Sequence, residues 1–321
     1  MDLTSAYPLF SLTRDGTPEI TTFGAVGIAR GSSVKIKEPD LRIVARSLLK
    51  PWQFLSLNLG PEEPLWLMAV ASHSGQKIHQ QALERLTQIT GIGPEDLSCP
   101  VAMPMDAAES EALRARSAPA QRLYHPCAGK HLAYSYAARS QGLSRDYCHL
   151  EHPLQKALSA SLASQLTNPC VWSFDSCGLP TPAMTLGDHV RLWQSLAQNT
   201  SPTALWLKEM WAKEPLLVGG AGRLDTLITT ASQGRLLAKE GADGLLAVQE
   251  IGGPATQANT IIIKISCGYN LAHLGLALLS VIRQNTGLMN RALLDLEQVL
   301  ARELPHWVPK GQSFLPCPWE I

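Results

Sequence analysis

The chain has 321 residues, 45 % hydrophobic and 17 % charged, which is enough for one large core or two modest ones and carries no compositional mark of disorder. Its 27 Lys and Arg balance 27 Asp and Glu, so no net field draws in nucleic acid or an anionic membrane surface, and neither is an expected partner. Seven scattered cysteines, an odd number, exclude the dense even framework of a small secreted domain and read as reduced thiols.

The opening MDLTSAYPLFSLTRDG lacks a basic segment followed by a long apolar run and does not read as a signal peptide. Within LFSLTRDGTPEITTFGAVGIA, Asp15-Gly16 is a turn signal between two β-prone runs and predicts a hairpin. LRIVAR reads as a further strand. In SLLKPWQFLSLNLG, Pro51 fits only near a helix start, which puts Ser47 and Lys50 in or beside the first turn, three residues apart. LWLMAVA predicts a buried helix ending at Ser72-His73-Ser74-Gly75. Ile78, Ala82, Leu83, Leu86 and Ile89 keep helical spacing until Gly91 and Gly93.

Lys130 to Gln141 predicts a helix stopped by Gly142, and HPLQKALSASLASQL a helix opened by Pro153 with Leu154, Leu158, Leu162 and Leu166 on one face. VWSFD returns to strand character, SCGLPTPAMT reads as a turn-rich loop, and LGDHVRLWQSLAQ and TALWLKEMWAK as helices. RLLAKE and DGLLAVQEI around Gly241, then TIIIKIS, predict three strands, followed by helices over NLAHLGLALLSVIRQ and LMNRALLDLEQVLAREL. The former is too short to span a bilayer and contains His273; a soluble, cytoplasmic protein is the expectation. The Pro-rich tail PHWVPKGQSFLPCPWEI reads as an extended strap. The fold class is α/β in the α+β sense: one antiparallel sheet assembled from both termini, flanked by helices, with a helical region inserted, as a single unit over 1–321 with no firm internal boundary.

Four stretches carry chemistry. ARSLLKP offers Ser47 and Lys50 as S-x-x-K, in which an uncharged amine can take the proton as the hydroxyl attacks a carbonyl; alone it also reads as a helix N-cap serine beside a solvated lysine. ASHSGQ offers Ser72, His73 and Ser74 at the end of a buried helix, with Ser74 alternatively capping the next one. LLAKEGADG puts Lys239 and Gly241 on an edge strand and turn. S-x-x-K, then a serine at a helix end, then K-x-G on a strand is the order found in serine hydrolases of amides and β-lactams. Two lysines near two serines depress each other's pKa, as burial does, which favours a neutral amine. FDSCGLPTP brings Cys177 to a position like that of Cys127 in HPCAGKHLAY; should the loops meet, two thiolates and the Lys130 amine form a three-donor metal site, although spacing alone favours cysteine and histidine for zinc.

RSLLKP, ASHSGQ, CAGKH, EHPLQ, DSCGLPTPA, GRLDT and AKEGADG together resemble, in the same order, the landmarks of the bacterial L-asparaginase II family, related in fold to β-lactamases and glutaminases. The resemblance implies hydrolysis of L-asparagine to L-aspartate and ammonia through a serine acyl-enzyme with two Ser–Lys tandems, Ser47 with Lys50 and Ser72 with Lys239. It implies zinc bound by Cys127, Lys130 and Cys177, not required by the serine chemistry, and a homodimer taking a small-molecule substrate. Arg46, His73, Arg223 and Gly241 are the expected substrate-binding positions. Arg223 would pair with the substrate carboxylate unless it forms a structural salt bridge with Asp225 or another acid, and His73, His131 and His152 read as hydrogen-bonded structural residues rather than catalysts. Ala128 stands where a serine is usual, Ser176 where a glycine is usual, and His125-Pro126 replaces an asparagine-rich lead-in. These departures bear on substrate preference and zinc affinity more than on the hydrolytic step. The competing readings are a glutaminase or other serine amidase or β-lactam hydrolase, and a non-catalytic zinc-bound binding protein.

Overall fold

The computed structural model describes residues 6–254, 257–285 and 290–318. In chain order they form β1 (Tyr7–Arg14), β2 (Thr17–Arg30), β3 (Ser33–Ile36), β4 (Arg42–Val44), a 3-10 turn (Arg46–Leu49), α1 (Lys50–Ser56), a 3-10 helix (Pro64–Ala69), α2 (Lys77–Thr90), α3 (Ala107–Ala115), α4 (Ala128–Ser140) and α5 (Pro153–Ala163). There follow β5 (Val171–Phe174), β6 (Pro180–Thr185), α6 (Leu186–Gln198), α7 (Pro202–Lys213), α8 (Pro215–Val218), α9 (Leu224–Ala231), β7 (Leu236–Gly241), β8 (Leu245–Glu250), β9 (Asn259–Ile265), α10 (Leu271–Gln284), α11 (Arg291–Trp307) and β10 (Ser313–Pro316). Leu288 and Met289, at the head of the last expected helix, and the end of the tail from 319 lie outside the described residues.

The chain divides into two units, each made of separate stretches. The first takes residues up to Ile43, Met184–Gln198 and Leu227 onward; the second takes Val44–Ala183 and Asn199–Thr226. Because the units alternate along the chain, no single linker separates them in sequence.

In the first unit the Asp15-Gly16 hairpin is present, with both turn residues at positive φ, +48° and +81°, as a two-residue turn between twisted strands requires. Among the described residues the strands make a seven-stranded sheet in the order β10-β1-β2-β9-β8-β7, with β3 beside β2. The register is antiparallel from β1 to β7, so the sheet does come from the two ends of the chain. Gly24–Ala29 on β2 and the whole of β7 are buried without alternation, which requires both faces to be covered. Helix α6 presses on β2 at Gly27, where a Cβ would lie 2.6 Å from Val190. Helix α10 packs on β1 and β9, its Ser280 hydroxyl donating to Leu9 O at 2.6 Å, and α11 packs on α10. The tail is only partly a strap: α11 continues through Pro305 to Trp307, and Ser313–Pro316 pairs with β1 as β10.

In the second unit Pro51 sits in the first turn of α1, where its missing N–H leaves nothing unpaired. Gly91 ends α2 in the left-handed conformation, φ +63°. The LWLMAVA stretch is a 3-10 helix, and α2, α4, α7 and α8 all pack against it. Helical spacing assigned Ile78 and Ile89 to the apolar face of α2, yet they are 38 % and 44 % exposed; the buried stripe is His79, Ala82, Leu83, Leu86 and Thr90. SCGLPTPAMT is not a loop. Gly178, at φ +90°, closes a tight turn with its N–H on Asp175 O at 2.8 Å, and Pro180–Thr185 returns as β6 against β5. Proline is tolerated here because a strand residue's N and O point to one edge. Pro182 O accepts from Ala45 N at 2.8 Å, so its missing N–H faces that side rather than β5.

Candidate active site

Within the second unit the structure brings the predicted residues into two adjoining groups. Lys50 opens α1, fully buried, and its side-chain nitrogen donates to Ser72 Oγ at 3.0 Å, to Pro126 O at 3.4 Å and to Ala71 O. Ser47 lies one turn before it, 8 % exposed, and its hydroxyl makes no hydrogen bond to a described residue. Ala45, not Ser47, is the N-cap residue of that turn, so the capping role that would have emptied S-x-x-K of chemistry is not the one Ser47 fills.

Arg46, immediately before Ser47, is held at φ +49°, a conformation that costs a non-glycine residue energy and persists only where its surroundings enforce it. Two contacts hold it there: Arg46 N donates to Thr181 Oγ1 at 3.1 Å, and its guanidinium Nε lies 3.1 Å from Asp175 Oδ1. Asp175 and Thr181 received no role from the sequence. Their signal was position alone, since both flank the quoted DSCGLPT.

Ser72 is fixed by its backbone. Its N–H donates to Val218 O and that of Ser74 to Gly219 O, both at 2.9 Å, while Arg223 Nη1 donates to Ser72 O at 3.2 Å. Gln76 ties the same two loops together, accepting from Ala221 N at 2.9 Å and donating to Asp106 Oδ2 at 2.8 Å. Gln76, not Ser74, is the N-cap residue of α2. Of the three motif histidines, His131 bonds Tyr147 Oη at 3.0 Å, and His152 bonds Ser144 O at 3.0 Å while accepting from Leu154 N. His73 departs from that expectation: it is completely buried with neither ring nitrogen bonded among the described residues.

The second group is the cysteine site. Cys127 is the N-cap residue of α4, with Lys130 in the first turn, and Gly129 between them is dictated by packing: any Cβ there would overlap the Met68 carbonyl of the central 3-10 helix. The Cys127 and Cys177 thiols act on each other's titration. That interaction, opposed by burial and helped by Lys50, Lys130 and His125, holds the Cys127 thiol well below its ordinary value; the same interaction and burial push Cys177 up. The two thiols are therefore shifted in opposite directions. Burial acts to lower the Lys130 pKa, but the Cys177 and Cys127 sulfurs and Asp175 outweigh it, and the net direction is upward. His125 Nδ1 accepts from Cys127 N at 3.0 Å.

Among the described residues no group of three His, Cys, Asp or Glu side chains is placed to hold a metal. The donor set that does fit zinc is Cys127, Cys177 and Lys130, two buried thiols and a buried amine close enough to shift one another's titration. Thiolate and amine nitrogen are suitable zinc donors, and binding would displace the thiol protons and that of the ammonium.

Lys239 and Gly241 lie in the first unit, on the end strand β7, where Lys239 is fully buried and donates to Glu240 O at 2.9 Å. No helix among the described residues is long and apolar enough to cross a membrane.

Among solved structures, the chain is similar to a β-lactamase from Sphaerobacter thermophilus DSM 20745, at 12 % identity and a TM-score of 0.36 over 89 % of this chain and 91 % of that one. No curated protein matches it. The family model for L-asparaginase II matches residues 10–312. With nearly the whole described chain inside that match, the protein belongs to the L-asparaginase II family and is a hydrolase.

Proposed function

We propose that the protein hydrolyses the side-chain amide of L-asparagine to L-aspartate and ammonia through a serine acyl-enzyme. The observation that carries this reading is the enclosed Lys50 amine, 3.0 Å from Ser72 Oγ and one turn beyond the unbonded Ser47 hydroxyl. Ser47 Oγ attacks the amide carbon, and its proton passes to uncharged Lys50. Ser72 then delivers a proton to the leaving nitrogen and takes the one held by Lys50 in its place, releasing ammonia; a water that gives a proton to Lys50 attacks the ester, and that proton returns to Ser47 as aspartate leaves. Arg223, already on the Ser72 carbonyl, serves the substrate carboxylate, and Arg46 shapes the approach to Ser47. Lys239 is a further amine required for turnover.

Cys127, Lys130 and Cys177 would hold zinc, which when bound supplies Lewis-acid positioning of substrate beside the serines. The serine remains the nucleophile, so the residues of this loop orient substrate and tie α4 to the β5–β6 turn.

Ammonia release measured on asparagine, glutamine and β-lactams tests the proposal. Asparagine turnover abolished in Ser47→Ala supports it; preferred turnover of glutamine or a β-lactam reassigns the substrate, and no turnover of any of them favours a binding protein. A second reading, with Ser72 as nucleophile, draws on the same 3.0 Å contact, because a base must lie within reach of the proton it takes. Mass spectrometry of a trapped acyl adduct decides between them, label on Ser72 with none on Ser47 rejecting the first.

A further inference from the structure

Four polar atoms just beyond Ser72 are buried without a hydrogen-bond partner among the described residues: Nδ1 and Nε2 of His73, Oγ of Ser74 and Nδ1 of His79. They belong to one locus. The two imidazole rings are stacked, 5.2 Å between centroids. Gly220 packs on the same spot, since a Cβ there would overlap Ser74 Oγ and lie 2.9 Å from His79 Cε1, the carbon bonded to the orphaned Nδ1. His73 and His79 are fully buried and Ser74 is 4 % exposed.

The character of each atom follows from its neighbours. His79 Nε2 lies 2.8 Å from Leu216 O; a carbonyl only accepts, so Nε2 carries the hydrogen and Nδ1 is an acceptor. The His73 ring, kept neutral by burial and by the neighbouring His79 and Lys50, presents one donor and one acceptor. The Ser74 hydroxyl presents a donor and two lone pairs. Native proteins almost always satisfy buried groups of this kind, and internal water is the usual agent where donors and acceptors are mixed and the lining is polar. An apolar molecule would leave every one of these atoms without a partner.

We propose that His73, Ser74 and His79 form an internal water site directly behind Ser72, and that His73, through this water, is a positioning residue for the Ser72 hydroxyl. The positioning half rests on the function proposed above; the water site does not. The coupling is short: the bonds from Ser72 N to Val218 O and from Ser74 N to Gly219 O pin the backbone on either side of His73, so displacement of its ring is passed to Ser72, whose oxygen must stay on Lys50.

The test is His73→Phe, which keeps a ring for the stack and removes both nitrogens. If nothing bonds to the imidazole, phenylalanine takes two unsatisfied atoms out of the core and the thermal midpoint stays or rises. If water is held there, phenylalanine strips it of partners and leaves Ser74 and His79 short, and the midpoint falls by about 3 °C or more. A crystal structure of the wild-type protein resolving ordered solvent should show density within about 3.2 Å of a His73 nitrogen and Ser74 Oγ. Asparagine turnover in His73→Phe should lose about tenfold or more in kcat with KM nearly unchanged, and His73→Gln should recover part of it. A midpoint that stays or rises, or a well-ordered locus without solvent density, overturns the water site. Density and a lowered midpoint with unchanged kcat overturn the positioning role alone. Wild-type protein inactive on asparagine removes the proposed function and leaves the midpoint and density readings intact. Should His73→Phe fail to fold, Ser74→Ala removes one partner of the same water, and an unchanged midpoint in it overturns the proposal.

Discussion

Replacing Lys50 by methionine separates its catalytic part from its structural one. Methionine has a similar length, suits a fully buried position, and removes only the amine. The structural cost includes at least three lost contacts, to Ser72 Oγ at 3.0 Å, Pro126 O at 3.4 Å and Ala71 O. At about 1 kcal/mol net for each hydrogen bond the loss is on the order of 3 kcal/mol, partly offset because a buried amine no longer has to be desolvated. The protein should remain folded, with a midpoint lowered by several degrees at most. The catalytic cost is different in kind. Losing a general base removes about 10²–10⁴-fold in rate, or about 3–5.5 kcal/mol of barrier. Ammonia release from asparagine under saturating substrate, read beside circular dichroism and a melt, distinguishes the two. Lys50→Met turning over within about tenfold of the wild type while folded would refute the assignment of Lys50 as the base.

Purified protein should contain close to one zinc per chain by elemental analysis, lost in Cys127→Ser and in Cys177→Ser; unchanged metal in both variants removes the site. Gly129→Ala should destabilise by about 1–3 kcal/mol despite alanine's better helix propensity, because its Cβ meets the Met68 backbone carbonyl; a chemical denaturation midpoint equal to or above the wild type would mean that α4 does not press on that helix. Stability should also fall with acid. Burial lowers the folded-state pKa of His73, His79 and His189 below 6.5, so the unfolded chain takes up protons first. Their contribution is complete above pH 7 and is lost as pH falls through 6.5 toward the lowered values, at up to about 1.4 kcal/mol per pH unit for each. Melts between pH 7.5 and 5 should show this, with a shallower slope in His189→Gln; an equal slope there excludes His189 from the effect.

Much of the frame was legible because local signals and packing agree. Asp15-Gly16 demands a positive-φ turn and obtains one; Pro51 and Pro153 stand in first turns, where their missing N–H is harmless; Gly91 stops α2 in the left-handed conformation. The failures share a cause: the deciding contact is remote in sequence. Nothing local says that Pro180–Thr185 is a strand, because its prolines are tolerated only through the direction in which Pro182 O meets Ala45 N. Ile78 and Ile89 fit the helical period of α2, but whether the edges of that stripe are covered depends on which neighbours reach them. The division into two units was hidden for the same reason, since each is assembled from pieces that composition along the chain does not distinguish.

The site was legible as residue types in order but not as contacts, and the difference matters for the chemistry. S-x-x-K names a serine and its lysine; the structure adds that this lysine's bonded hydroxyl is Ser72, twenty-two residues on, while Ser47, with no hydroxyl bond among the described residues, sits on a turn held at positive φ by Asp175 and Thr181. Likewise nothing in CAGK says why its second residue after the cysteine is glycine; it is a packing requirement that lets the first turn of α4 lie against the Met68 carbonyl. The 3-10 helix that supplies that carbonyl ends at Ala69, and two residues on, the carbonyl of Ala71 takes the Lys50 amine just before Ser72. One short apolar segment thus orders both the cysteine site on one side and the hydroxyl–amine couple on the other. A change in its packing should therefore move zinc affinity and serine reactivity together, whereas a change at Cys177 alone should move the first far more than the second.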